Sequence, residues 1–148
     1  MINKIKFEIT TPERVVFSDE VDEIVLPTLN GEIGILPHHI PLVSVLATGE
    51  ARIKKGNEMI HMAVSGGFIQ VRPDKVIVLA DTAEREEEID EQAAEEARRR
   101  AKKLLEEKRT DSAEFAAISA QLEKELARLK VARRRRSEPR IGMQPNLK

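Results

Sequence analysis

Three groups of residues have the types and spacing that chemistry could use: the histidines, a Ser-Gly-Gly stretch and a run of arginines. His38 and His39 are adjacent, and His61 stands apart. Neighbouring histidines on a strand point to opposite faces and cannot readily chelate one metal, and no His-x-x-x-His spacing occurs. Ordinary surface or hydrogen-bonding roles suit them. Ser65-Gly66-Gly67-Phe68 lacks the Gly-x-Ser-x-Gly elbow that exposes a serine nucleophile, and no Gly-Lys-Ser/Thr follows it to hold a phosphate. Its glycines fit a strand with a bulge or a close backbone approach. The acids between Glu84 and Glu96 fall on a helical pattern. There, like charges make a solvated face, not the cleft that paired carboxylates need. No catalytic constellation emerges, and no metal or cofactor is expected. Arg133-Arg134-Arg135-Arg136 differs, because no neighbouring acid except Glu138 balances it. Cations are favourable at a helix C-terminus, and the same charge suits nucleic acid, anionic lipid or an acidic protein surface. With four Phe and no Tyr or Trp, the chain has few platforms for stacking bases, which argues against nucleic acid.

The elements that must carry these residues divide the chain in two. To about Asp81, apolar and polar residues alternate: Ile5, Phe7 and Ile9 face one way, Lys4, Lys6 and Glu8 the other. That period of two marks a half-buried strand. Further strand candidates follow at 14–18, 21–27, 33–36, 42–46, 50–55, 58–63, 67–72 and 75–80, separated by turn formers such as Asn30-Gly31 and Lys55-Gly56-Asn57. Many short strands with no helix between them point to a sandwich or flattened barrel.

From Thr82 to Arg136 there is neither Gly nor Pro, and strong helix formers dominate. Ile89, Ala93, Ala97, Ala101, Leu104 and Leu105 make one apolar stripe, and Phe115, Ile118, Leu122, Leu126 and Leu129 a second. Asp111 with Glu114 resembles a capping box that starts the second helix. The expectation is an antiparallel helical hairpin. Half of its first stripe is Ala, and each buried methyl contributes at most about 1 kcal/mol, so the seam packs closely but weakly. Glu95 with Arg99 and Glu96 with Arg100 are i,i+4 pairs that support the helix by itself, at roughly 0.2–0.5 kcal/mol each. Such a hairpin could let go without unfolding, or it could stay docked and stabilise the sandwich. Residues 137–148 contain two Pro and a Gly with little apolar content and read as a frayed tail.

The composition, 41% apolar and 34% charged with a formal net charge of −1, gives the whole molecule no bias toward nucleic acid or acidic lipid. There is no Cys, hence no disulfide or thiol nucleophile. No apolar run approaches the roughly 20 residues that span a bilayer. The N-terminus lacks the marks of a secretory or transit sequence. The expectation is a soluble protein that works where it is made.

Several strings are specific. Thr11-Pro12-Glu13-Arg14 precedes Val16-Phe17-Ser18 and Leu26-Pro27-Thr28. Gly31-Glu32-Ile33-Gly34-Ile35-Leu36-Pro37-His38-His39-Ile40-Pro41-Leu42 follows. Then come Ala63-Val64-Ser65-Gly66-Gly67-Phe68 and Val78-Leu79-Ala80-Asp81-Thr82-Ala83-Glu84. In order and spacing these resemble the epsilon subunits of bacterial F-type ATP synthases, over roughly residues 3 to 132. The resemblance implies an α+β protein: an N-terminal ten-stranded β-sandwich (1–83), a C-terminal antiparallel two-helix hairpin (84–136) and a flexible tail (137–148). It implies a non-catalytic rotor subunit that links gamma to the c-ring, coupling proton translocation to ATP synthesis. The alpha and beta subunits would be further partners. The chain would sit peripherally on the cytoplasmic face of a bacterial inner membrane, without entering lipid. Glu32, His38 and His39 match the family's c-ring-facing end. The hairpin resembles a regulatory element that opposes ATP hydrolysis when extended. Arg128, Lys130, Arg133, Arg134, Arg135 and Arg136 match the basic residues that then meet acidic segments of beta. Some members bind ATP in the folded hairpin. Here Asp90 of that motif is present and Arg128 matches a second-helix Arg, but Ala93 stands where the motif has Arg. Weak or no ATP binding is therefore expected. A stand-alone ligand-binding β-sandwich is the alternative, though it leaves the helices without a purpose.

Overall fold

The computed structural model describes residues 3–107 and 112–137, except for the side chains of Ser112, Arg136 and Ser137. Strands β1 (Ile5–Thr10), β2 (Val15–Val21), β3 (Glu23–Thr28), β4 (Gly31–Ile35), β5 (Leu42–Val45), β6 (Gly49–Lys55), β7 (Glu58–Val71) and β8 (Lys75–Arg85) come first. A single 3₁₀ turn, Glu86–Glu88, leads to helices α1 (Glu91–Glu107) and α2 (Ser112–Ser137). The strands run in the order β2-β1-β8-β7-β6-β3-β4, with β5 paired to β7. Every ladder is antiparallel except β1–β8, which is parallel from Lys6↔Lys75 to Thr10↔Leu79.

The described strands number eight, not ten. The windows 58–63 and 67–72 are one strand of 14 residues. Its first part pairs with β6 from Glu58 to Val64, and its last part pairs with β5 from Phe68 to Val71. At the join, Gly66 has φ 60 and Gly67 has φ 124. These left-handed conformations redirect the strand while its pairing with β8 continues on both sides, Ser65↔Thr82 and Gly67↔Ala80. The Gly-Gly pair thus acts as the bulge-like bend within a strand that its residues suggest, although the sequence pattern sets the two windows around it apart. β8 also runs past its sequence-derived end at 80 to Arg85, because Thr82–Arg85 pair with Met62–Ser65.

The sandwich closes over a core in which Ile5, Phe7, Ile9, Leu26, Ile53, Ile69 and Val78 are at most 1% exposed. Burying each of the larger side chains contributes about 1.5–3 kcal/mol. Phe7 and Phe17 meet with ring centroids 5.7 Å apart, and Arg85 lies over the outer side of Phe17 at 5.5 Å.

Asp90 opens α1: its Oδ1 accepts the Ala93 N–H at 3.1 Å, and its carbonyl accepts the Ala94 N–H at 3.0 Å. The helices are antiparallel, since Arg133 near the end of α2 reaches Glu91 and Glu95 near the start of α1. α2 lies between α1 and strands β6 and β7. It therefore buries several sides at once: Glu125, Ala127, Leu129, Val131 and Ala132. In α1 only Ala94 and Ala101 are buried. The buried line passes through Ala94, while Ala93 is exposed, because a run of alanines at three-and-four spacing offers two adjacent faces. Phe115 and Leu126, assigned to the second stripe, are 43% and 47% exposed. The Glu95–Arg99 pair forms at 3.2 Å, with Arg98 closer still at 2.6 Å. The expected cap at Asp111 and the tail at 138–148 lie outside the described residues.

A Cβ on Gly67 would stand 1.9 Å from the Leu79 carbonyl oxygen, whereas one on Gly66 would meet the flexible Asp81 carboxylate. Gly67→Ala is expected to destabilise the chain by about 3 kcal/mol or more in urea unfolding, and Gly66→Ala by about 1–2 kcal/mol.

Candidate functional site

The helices meet the strands across a small apolar contact flanked by charge. Its buried apolar residues are Ala63, Ile89, Val131 and Ala132, a cluster separate from the sandwich core. Two arginines of α2, six residues apart, each grip a carboxylate of the sandwich.

The first grip is at Arg128. Its Nε donates to Glu84 Oε2 at 2.6 Å, and its Nη2 donates to Glu84 Oε1 at 3.1 Å. The same guanidinium donates through Nη1 to Glu125 Oε2 at 2.9 Å. Glu125 Oε1 accepts from Gln121 at 2.8 Å. Burial alone would weaken the hold of Arg128 on its proton, but hydrogen bonds and charge from Glu84 and Glu125 override this and raise it above its usual value.

The second grip is at Glu50 on β6, which is 4% exposed. Alternation on β6 sends Ala51 and Ile53 into the core and leaves Glu50 and Arg52 on the opposite face, under α2. Arg134 donates to Glu50 in a fork, Nη2 to Oε1 at 2.8 Å and Nε to Oε2 at 3.0 Å. His61 Nδ1, from β7, lies 3.4 Å from Oε2, and Arg52 Nη1 lies 3.5 Å from Oε1. Burial would push the Glu50 carboxyl up. Hydrogen bonds from His61 and Arg134, with their charge, outweigh it and hold the group down at about 2.

The other arginines have partners too. Arg133 lies 3.5 Å from Glu91 and 3.4 Å from Glu95, and Arg135 donates to the Ile89 carbonyl at 2.8 Å. The expectation that no acid balances the cluster is therefore corrected for Arg133 and Arg134: the balancing acids come from β6 and α1, remote in sequence. Lys130 is exposed on α2, and the Arg136 side chain lies outside the described residues. The 3₁₀ turn between the two parts is pinned as well, by Glu88 to Arg14 at 2.8 Å and by Arg85 to the Val16 carbonyl at 2.8 Å.

The remaining sequence-derived residues sit elsewhere. Glu32, at the start of β4, accepts from Arg52 Nη2 at 2.6 Å. His38 and His39 lie beyond the other end of β4, in a loop and not on a strand. His38 has φ 64 and donates its backbone N–H to the Pro73 carbonyl at 2.8 Å; His39 Nδ1 pairs with the Ile40 carbonyl at 2.7 Å. Strand β4 thus separates Glu32 from the histidines. Among the described residues no group of three His, Asp or Glu could hold a metal. Asp90 and Arg128 do not converge. Arg128 lines an open cleft of about 380 Å³ with Arg14, Asp81, Glu84 and Lys124. Asp90 lines another, with Gln92 and Arg135. Sequence reasoning missed Glu50, Glu84 and His61 as a group. The available signal was a Glu at an alternating position on a strand whose outer face a basic helix covers.

A family model described as the ATP synthase Delta/Epsilon chain beta-sandwich domain matches residues 4–86, and one described as the long alpha-helix domain of that chain matches residues 87–133. An ATP synthase epsilon chain of Dehalococcoides mccartyi is 49% identical over 138 residues, 93% of this chain and 99% of that one. An ATP synthase epsilon chain of Syntrophobacter fumaroxidans is 46% identical over 132 residues, 89% of this chain and 98% of that one. A chain of the Euglena gracilis mitochondrial ATP synthase, in a structure of its OSCP, F1 and c-ring, superposes with a TM-score of 0.76 at 25% identity, over 89% of this chain and 82% of that one.

Arg128→Ala leaves buried Glu125 and half-buried Glu84 without their cation. It is expected to weaken helix docking by about 3 kcal/mol, read as faster amide exchange in α2 with the sandwich unchanged. Docking should also depend on acid. The Glu50 carboxyl is depressed when Arg134 is bound, so its contribution is full above its ordinary value near 4.5 and is lost as pH falls toward about 2. Fluorescence transfer between labels on α1 and β7 should fall through that window, less steeply in Glu50→Gln.

Proposed function

The chain belongs to the ATP synthase delta/epsilon chain family, and we propose that its helical hairpin is a detachable brake on the rotor that its sandwich joins. As a member of that family it is a non-catalytic subunit of the central stalk of an F-type ATP synthase. No described helix is long and apolar enough to cross a membrane. The observation that carries the proposal is the seam. Among the described residues the buried apolar cluster at the seam holds four, and two arginine–carboxylate grips flank it. A docked element held chiefly by charge can exchange one set of acidic partners for another, because its arginines lose little when a new carboxylate replaces the old.

The sandwich offers a second surface for the gamma subunit. Val45, Phe68 and Leu79 pair across β5, β7 and β8 in one row, and each is at least 42% exposed. Val43, two residues from Val45, shares that face. An exposed apolar row of this kind marks a protein interface. Gamma packs on this row; Glu32, or His38 and His39 at the other end of β4, meet the c-ring. In the extended hairpin Arg128, Lys130 and the 133–136 cluster face acidic segments of beta, and the chain works at the cytoplasmic face of a bacterial inner membrane. Arg128 already holds two carboxylates and Asp90 is occupied as a cap. Both features support weak or no ATP binding to the isolated chain.

Co-purification with gamma and hydrolysis assays of the reassembled enzyme test this reading. Phe68→Asp should weaken gamma binding at least tenfold, about the cost of burying a charge in an apolar contact. Removing residues 87–148 should leave gamma binding intact and raise ATP hydrolysis. A full-length chain with no affinity for gamma would sink the proposal.

A further inference from the structure

The two Glu50 oxygens are shared unequally. Oε2 faces Arg134 Nε at 3.0 Å and His61 Nδ1 at 3.4 Å. Oε1 faces two guanidinium groups at once, Arg134 Nη2 at 2.8 Å and Arg52 Nη1 at 3.5 Å. Arg52 stands further off because its other nitrogen is committed to Glu32 at 2.6 Å. The four side chains form one line across the sheet: Arg134 on α2, Glu50 and Arg52 on β6, Glu32 on β4. At one end is the hairpin. At the other is a carboxylate that is 48% exposed and open to a partner.

We propose that Glu32 and Arg134 are energetically coupled through Arg52 and Glu50, so that a cationic group of a rotor partner engaging Glu32 loosens the hairpin. The inference rests on the reading above that Glu32 is a partner contact and that the hairpin detaches. While Glu32 holds Arg52, the Arg52 charge is balanced and Glu50 Oε1 is held mainly by Arg134 at 2.8 Å, with Arg52 further off at 3.5 Å. When a partner's Lys or Arg takes Glu32, Arg52 turns to Oε1 and competes with Arg134 for it. Its charge, no longer balanced by Glu32, also repels Arg134. Both effects have the same sign. The coupling is reciprocal by thermodynamic necessity: an undocked hairpin frees Glu50, Arg52 moves to it, and Glu32 is released to bind its partner more tightly. The foot of the sandwich and the hairpin thus read each other through two ion pairs, with no movement of the strands.

The test uses the full chain alone, with Glu32→Gln standing in for an occupied Glu32. The chain has no Cys, so cysteines at exposed Met59 and Lys102 can carry a donor and an acceptor that report hairpin docking. Glu32→Gln should shift the docking equilibrium toward the open form by about two- to fivefold at low salt, the size of an exposed ion pair and at or below the bottom of typical couplings. Arg134→Gln should open the hairpin too, and adding Glu32→Gln to it should change nothing further. In an Arg52→Gln background Glu32→Gln should be silent, while Arg52→Lys, which keeps the charge, should retain the response. Unchanged docking in Glu32→Gln overturns the coupling, and so does a Glu32→Gln effect that persists without Arg52. If Arg134→Gln opens the hairpin but Glu32→Gln does not, the coupling fails while the detachable brake stands. If neither variant changes docking, both fail.

Discussion

A carboxylate that is 4% exposed on the outer face of a strand cannot be left alone. Taking an unpaired charge out of water costs several kcal/mol, and Glu50 escapes that cost through the cations that converge on it. One of these, Arg134, belongs to a helix 84 residues later in the chain. The sandwich therefore carries a socket that is complete only when the helix is docked. Arg128 and Glu84 repeat the logic about one and two-thirds turns away, where the helix itself supplies Glu125 to the same guanidinium. These grips set the register of α2 against the strands, because a fork of two parallel hydrogen bonds tolerates little sliding. The apolar residues between them, mostly Ala and Val, only need to fit closely.

The two cores of the molecule consequently have different strengths. The sandwich core holds twenty buried apolar residues, three large isoleucines and phenylalanines of β1 among them, and survives on its own hydrophobic burial. The hairpin contact holds four. Charge pairs contribute much less than their number suggests once desolvation is counted, so docking is the weaker of the two associations even though it has the more specific geometry. A unit with this imbalance opens at the seam before it unfolds elsewhere.

Much of this was legible in the residues. Alternation located the strands because one face of each is buried, and the absence of Gly and Pro after Thr82 located the helices. What failed did so for physical reasons. The windows 58–63 and 67–72 left a break at Gly66-Gly67 between two strands, although the glycines themselves read as a bulge. They bend one strand, so nine windows became eight strands, and the ten that the family resemblance implied are not found among the described residues. Nothing local shows whether a left-handed glycine ends pairing or redirects it; that depends on β8 lying alongside. Ala93 and Ala94 could not be told apart, since a line of small residues defines a face only once the neighbour is in place. The arginines of α2 looked unbalanced because their acids are distant in sequence: Glu50 of β6, Glu91 and Glu95 of α1. Charge balance is a property of the fold, and a one-dimensional reading sees only the neighbours along the chain. The family strings, by contrast, identified the architecture and the assembly, because a shared order of motifs carries tertiary information that periodicity lacks.

Arg128 and Arg134, two of the arginines that resemble the family's contacts to beta, also close the docked state here, and this double use has a consequence. An arginine that is free in the docked form would favour any acidic partner without opposition. One that is already paired must exchange, and the net preference is the difference between two carboxylate environments. Glu50 is buried and forked to Arg134, while Lys130 is exposed on the same helix. Under the proposed exchange, Lys130 would meet an incoming acidic surface first, while the paired arginines still hold the sandwich. Their release would then require a new site with carboxylates as dry and as well aligned as the old one. Such an exchange makes the transition discrete, because a guanidinium fork halfway between two carboxylates satisfies neither.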